Sequence, residues 1–262
     1  MAMKNILKIM LMMITIFTIA GSAVYAAEIP VSDQDQLITS NDWTEISNLQ
    51  DEMKKEEPDA TIDYDKALKV YVDCNLIKLQ TADTKKLTSA LESANYVWVI
   101  PFKMEKTYGM FTVAKGLPLR EEAKSVLTKA EQEEVKNHAG KWMITEIAEH
   151  TVEPYYDILL EKREALSDCT RVVLVGSQPG MRQPVALGMD DETARIWISL
   201  GYQYPVMEKI PETQNVESGV YSFDSVAEIS DTYIEDSEVS TGVGVQSRSS
   251  MKYVAGIGIV LI

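Results

Sequence analysis

The sequence predicts an α+β fold, an antiparallel sheet with helices packed on one face, and three observations lead to it. Tyr96 to Phe102 (YVWVIPF), a polar connection ending in Tyr108-Gly109, and Met110 to Ala114 (MFTVA) read as an antiparallel hairpin. Arg171 to Val175 (RVVLV), Val185 to Leu187 and Ala194 to Leu200 follow at hairpin spacing, with Asp190-Asp191-Glu192-Thr193 turning the chain between the last two. Between these runs lie short stretches whose apolar residues recur every three to four positions, the period of a helix with one buried face.

The chain opens on what reads as a cleavable secretory signal. Lys4 and Lys8 supply the positive start, Ile9 to Ala20 the apolar stretch, and Val24-Tyr25-Ala26 the small residues of a cleavage site. The apolar run ends at Gly21-Ser22, short of the roughly 20 residues needed to cross a bilayer core, so cleavage after Ala26 is expected rather than a retained anchor. This gives residues 1–26 as signal, 27–205 as an extracellular domain, 206–250 as a disordered spacer and 251–262 as an apolar tail.

The leader holds two lysines and no acid, so its loss takes the formal charge from −15 to −17. Nucleic acid is therefore not an expected partner, because neutralising phosphates needs a basic face. Acidity of this size acts first as solubility and mutual repulsion. Cys74 and Cys169 are the only cysteines. In an oxidising compartment they could bridge, closing a loop of roughly a hundred residues worth about 4 kcal/mol in the chain-entropy model. Two buried free thiols fit the sequence equally well.

Element by element, Ser40 or Asn41 caps a peripheral helix carrying Trp43, Ile46, Leu49 and Met53 and stopping before Pro58. ALKVYV from Ala67 has strand character. Asp83 caps a helix with Leu87, Ala90, Leu91 and Ala94 on one stripe. In the hairpin that follows, Pro101 marks a bulge or an edge. A helix from about Leu119 carries Ala123, Val126, Leu127 and Ala130, and Thr128 with Glu131 matches a capping box from which a second short helix restarts and ends at Gly140. Trp142 to Ile147 is a strand, and Pro154 opens a helix containing Ile158 and Leu159. In the last strand Ile196 and Ile198 alternate with Arg195 and Trp197, predicting one buried and one wetter face. The order helix, strand, Gly-containing turn, return strand occurs twice, which raises a duplicated helix-plus-hairpin unit.

From Met207 the composition turns acidic and Ser/Thr-rich, which predicts no order through residue 250. Met251-Lys252 then leads into Tyr253 to Ile262 (YVAGIGIVLI), too short to span a membrane and read as a truncated anchor or a tail dipping into an interface.

Chemistry-bearing motifs are scarce. His138 and His150 form no metal-ligand spacing, and GSQPG around Ser177 misses the nucleophile-elbow pattern, reading instead as a Pro-Gly turn. Asp63 and Asp65 in IDYDK, and Asp190 with Asp191, could offer oxygens to calcium; solvated turn acids are the plainer account, and no other cofactor is expected. Aromatic residues cluster on the hairpins, with Trp98, Tyr108, Trp197 and Tyr202 as candidates for an exposed platform binding sugar or peptide, against a role in the core.

IDYDKALKVY, YVWVIPF, AKGLPL, GKWMITEI and VGSQPGMRQPVAL, with the leader, resemble secreted, surface-anchored proteins of Gram-positive, clostridia-like bacteria that carry no assigned activity. The helix-then-hairpin order is also similar to PepSY-type or cystatin-like modules, which bind or inhibit without catalysing. These resemblances imply a non-catalytic extracellular or cell-surface module binding a peptide, a glycan or a surface protein, with membrane contact through the tail. The alternative is an extracellular hydrolase using paired carboxylates.

Overall fold

The computed structural model describes residues 29–150, 153–176, 178–181, 183–202, 204–212, 215–237 and 251–252. The expected signal, Ser177, most of the spacer beyond residue 237 and the tail from Tyr253 lie outside them.

The chain is α+β, built on one mostly antiparallel sheet. Its strands are β1 (Thr61–Ile62), β2 (Leu68–Val72), β3 (Asn95–Lys103), β4 (Tyr108–Lys115), β5 (Trp142–His150), β6 (Arg171–Val175), β7 (Val185–Met189), β8 (Ala194–Ser199), β9 (Asn215–Glu217), β10 (Val220–Ser222) and β11 (Met251–Lys252). Across the sheet they run β11-β5-β4-β3-β2-β6-β7-β8-β10-β9, with β1 beside the far end of β3. All neighbouring strands are antiparallel except β2 and β6, which join the two blocks in parallel.

The helices are α1 (Trp43–Ile46), α2 (Gln50–Glu56), α3 (Thr84–Glu92), α4 (Lys129–His138), α5 (Tyr155–Glu161) and α6 (Phe223–Ser237). Strand alternation divides the core into two faces. On one, Ile46 and Met53 of α1 and α2 cover Trp98, Ile100, Phe102 and Phe111. Beside them, Leu87 and Leu91 of α3 and Phe223 and Val226 of α6 cover Val173, Leu187 and Trp197. On the opposite face Ile158 and Leu159 of α5 pack on Leu68, Val70, Leu174 and Ala186. Helices thus lie on both faces, most of them on one. The segment from Ser40 buries one face, with Ile46 and Met53 wholly buried and Trp43 and Leu49 packed beside them, while Thr44, Glu45, Asn48 and residues 50–52 stay exposed.

Local signals explain most boundaries. The Asp83 carboxylate accepts from the backbone N–H groups of Lys85 and Lys86, starting α3 as expected. Thr128 and Glu131 form the expected capping box on α4. Pro101 causes no bulge: it keeps regular register with Met110. On its other side β2 pairs only through Val99 and β1 only from Phe102, so proline's missing N–H faces the gap between them.

The largest departure concerns the chain after Met207, which folds where composition predicts a spacer. β9, β10 and α6 bury Val220, Phe223, Val226 and Ser230. The folded domain therefore passes residue 205 and reaches at least residue 237. The same helix corrects the last strand, because Trp197 stacks on Phe223 with ring centroids 5.7 Å apart and has no wet face.

The two helix-plus-hairpin units exist as α3-β3-β4 and α5-β6-β7. Outward from β2, the strands on either side alternate in opposite senses, which a half-turn about the sheet normal relates. Such a rotation leaves a helix on its own face. α3 and α5 sit on opposite faces, so the likeness does not extend to packing.

Candidate functional site

The residues singled out in the sequence do not converge. Trp98 and Trp197 are fully buried and cannot form a platform. The Trp98 indole N–H and the Tyr96 hydroxyl both donate to Asp42 Oδ2, at 3.0 and 2.9 Å. Tyr108 and Tyr202 keep partial exposure but belong to different blocks. Lys103 sits over the Tyr108 ring, and the Tyr202 hydroxyl lies 3.3 Å from that of Tyr155.

The acidic candidates are occupied in shaping turns. Asp190 accepts the N–H groups of Glu192 and Thr193 and the Arg195 guanidinium, and those hydrogen bonds hold its carboxyl below the ordinary range. Asp191 accepts from the Thr170 hydroxyl at 2.9 Å. Asp63 is 3.7 Å from Lys66, which pairs more closely with Asp157 of α5 at 2.8 Å, and Asp65 is exposed. Among the described residues no group of three or more His, Cys, Asp or Glu side chains is placed to hold a metal ion.

The Cys74–Cys169 bridge is absent: both thiols are free and buried. Cys74 packs in the core of one face and Cys169 in the core of the other. Burial pushes each thiol up to about 11, which makes it a poor nucleophile.

Among the described residues, a dense polar cluster that was not among the sequence candidates lies where the two blocks join. β2 and β6 pair only at Val70–Leu174 and Tyr71–Val175, and below that point they part like a fork. Residues 29–37 form a strap that threads the fork. Val31 bridges Val172 on one tine and Gln36 bridges Leu68 on the other. The Val172 N–H donates to the Pro30 carbonyl at 2.7 Å, and the Leu37 N–H to that of Ala67 at 3.2 Å. The strap supplies backbone partners that the separated strands lack. Ile29 and Val31 join the core of one face and Leu37 that of the other, so the strap crosses the sheet.

At the crossing sits Asp35, only 2% exposed. Its carboxylate accepts from the Tyr71 hydroxyl at 2.7 Å, the Ser32 hydroxyl at 2.6 Å and the Arg171 guanidinium at 3.0 Å. Lys69 Nζ is 3.7 Å away, 4.5 Å from the Tyr96 ring centroid and 5.3 Å from that of Trp98. Burial lowers the Lys69 pKa, against the opposing pull of Asp35 and Asp42. Burial raises that of Tyr71, with Asp35 adding to it. One sequence signal could have located half of the cluster. In LKVYV, Lys69 and Tyr71 share a strand face, so a strand buried on both sides carries a cation that needs a carboxylate.

At the surface, two open hollows are described. One of about 250 Å³ lies between the loop Ile77–Ala82 and the first turns of α6, with Asp224 and Glu228 on its rim. Another is lined by Asp59, Thr61, Lys103, Met104 and Glu105. A more conspicuous feature is the connection between β4 and β5. Adjacent antiparallel strands need only a short turn, yet here 26 residues, Gly116 to Lys141, form an arm.

The arm has a closed base. Gly140 N–H donates to the Gly116 carbonyl at 2.7 Å, and Gly116 N–H to that of Lys141 at 2.9 Å. A Cβ on Gly116 would meet the His138 carbonyl oxygen at 2.1 Å, so only glycine fits. Beyond the base α4 buries no residue, Val126 is 70% exposed, and Leu117 is exposed too. The expected apolar face over Ala123, Val126, Leu127 and Ala130 is therefore not a core face.

Among the described residues no helix is long and apolar enough to cross a membrane. No family model, no curated protein and no solved structure matches the chain.

Proposed function

We propose that the chain is an exported, non-catalytic binding module that engages a peptide, a glycan or a neighbouring surface protein through the arm. The observation that carries this reading is the arm itself: a capped helix on a closed base, far longer than the connection requires and contributing no buried side chain to the core. Structure that the fold does not need is available for recognition. The charged groups at the fork support the same reading, since Asp35 is buried and engaged with Lys69 and Arg171. The leader places the module outside the cytoplasm, and the apolar tail holds it near a membrane surface.

The test is retention of the secreted chain on cell-wall polysaccharide, peptidoglycan fragments and purified surface proteins, beside a variant whose residues 117–138 are replaced by a short Gly-Ser turn. Retention lost with the arm supports the reading. Equal retention by both, or turnover of any of these polymers, overturns it. A calcium titration followed by melting temperature checks Asp63, Asp65, Asp190 and Asp191 separately, because a cation bound to the folded state raises Tm with concentration.

A further inference from the structure

Among the lysine–carboxylate pairs of the described residues, Lys69 with Asp35 is the driest. Lys66 with Asp157 and Lys162 with Glu217 each keep both side chains partly in solvent, whereas the side chains of Lys69 and Asp35 are 10% and 2% exposed. The rings of Tyr96, Trp98 and Tyr71 surround the Lys69 amine, with centroids 4.5, 5.3 and 5.8 Å from Nζ. Nζ lies 3.7 Å from Asp35 Oδ1, longer than the about 2.7–2.9 Å of a charge-assisted hydrogen bond, so the pair recovers little of the cost of leaving water. Burial favours the uncharged amine at Lys69, the nucleophilic form, whereas at Lys66 the hydrogen bond to Asp157 holds the proton.

We propose that Lys69 and Asp35 condense to a side-chain amide, a covalent bond that fixes the strap to β2. Nζ forms a bond to Asp35 Cγ, the Cγ–Oδ1 bond breaks, and Oδ1 departs as water carrying two protons from Nζ. The third proton stays on the amide nitrogen, so an ammonium and a carboxylate become a neutral amide and water, with nothing oxidised or reduced. As Cγ becomes tetrahedral, negative charge gathers on Oδ2, where the Arg171 guanidinium and the Ser32 hydroxyl already donate at 3.0 and 2.6 Å. The Tyr71 hydroxyl donates to Oδ1, the departing atom, at 2.7 Å. Groups held together in this way react as if at concentrations of up to about 10⁵–10⁸ M. Condensation also removes two buried charges whose mutual attraction is weak. The ion pair is the state before the bond, and Lys69 titrates only until it forms. Unlike a disulfide, the amide is indifferent to redox conditions, and it seals the fork at the seam where the two blocks meet.

The experiment is a time course of intact mass on the full chain, refolded from urea and held in buffer for several days, with tryptophan emission from buried Trp98 and Trp197 reporting the fold. The folded chain is expected to become lighter by one water, at a rate independent of protein concentration, while chain kept in urea holds its full mass. Trypsin digestion is then expected to give a branched peptide joining the segment that contains Asp35 to the one that contains Lys69, uncut after Lys69. Lys69→Arg keeps the cation but removes the amine, and Asp35→Ala removes the carboxyl; both are expected to hold full mass. A wild-type chain with native emission and unchanged mass after those days overturns the proposal. So does a water loss that maps to any other pair of residues or persists in Lys69→Arg. The wild-type measurement needs no variant, so it decides the matter even if a substitution unfolds the domain.

Discussion

At the fork between β2 and β6 a buried carboxylate is tied to half-buried cations from two strands, whereas in the arm between β4 and β5 no described residue is buried and two backbone hydrogen bonds close the base. Both interrupt the sheet. The fork does so at the single parallel seam, where the strands part and the gap is filled by the strap with its carboxylate. The arm does so at an antiparallel connection where nothing needs filling. The difference separates two uses of irregular backbone: one fastens two half-sheets together, and the other leaves the fold intact and displays a surface.

The sharpest way to break that comparison is to remove Asp35. Asp35→Ala leaves Arg171, Lys69 and the Tyr71 hydroxyl without their shared acceptor. Deleting one partner of a buried pair costs about 3–5 kcal/mol. Urea unfolding should show a midpoint lowered accordingly. A loss within about 1 kcal/mol would mean that the strap is held by apolar packing alone.

The same cluster carries a pH signature. The folded pKa of Lys69 lies below its unfolded value, so in that window the unfolded chain binds more protons and stability rises as pH climbs toward 10.5. Tyr71 and Tyr96 have folded values above 10, so their contribution is present below pH 10 and is lost as pH rises beyond it. Measured between pH 7 and 11, the stability difference between wild type and Lys69→Met should shift in favour of wild type as the pH climbs to 10.5. A difference that is flat with pH would show that Lys69 is effectively solvated.

At the arm the corresponding change is Gly116→Ala. The added methyl would collide with the His138 carbonyl, and His138 must move for the base to close. The expected loss is about 1–3 kcal/mol, smaller than at the fork because the strain can be relieved by opening the arm. Amide exchange should therefore rise within residues 116–141 and stay unchanged in β6 and β7. Exchange rising across the whole sheet would mean that the arm's base is integral to the fold.

Sequence patterning found what depends on neighbours along the chain and missed what depends on charge balance across it. The hairpin of β3 and β4, the Asp83 cap, the Thr128–Glu131 box and the turn at Asp190 each rest on residues a few positions apart, and each is present. α6 was missed because its sequence, FDSVAEISDTYIEDS, is acidic enough to look like spacer, although Phe223 and Val226 supply the stripe that covers Trp197. That single omission also produced the wrong expectation for Trp197. Trp98 and Trp197, read as part of a platform, are core because helices from distant segments cover them, which alternation within a strand cannot reveal. The fork was out of reach for a related reason: Asp35 and Arg171 stand 136 positions apart, and only the partial burial of Lys69 between Leu68 and Val70 hinted that a carboxylate was required.

The smallest expected effect on stability is also the most discriminating for function. Replacing residues 117–138 by a short Gly-Ser turn removes α4 and its capping box but no buried side chain of the helix. The cost should stay below about 1 kcal/mol, since surface changes are nearly neutral and loop-closure entropy varies slowly with length. Circular dichroism should lose helix equivalent to α4, and the urea midpoint should hardly move. If binding disappears while the midpoint holds, recognition has been separated from folding, the division that distinguishes arm from fork. A midpoint that falls as far as it does for Asp35→Ala would instead make the arm a second fastening of the sheet, and the proposed binding surface would then have to be sought elsewhere, beginning with the rim of the hollow at Asp224 and Glu228.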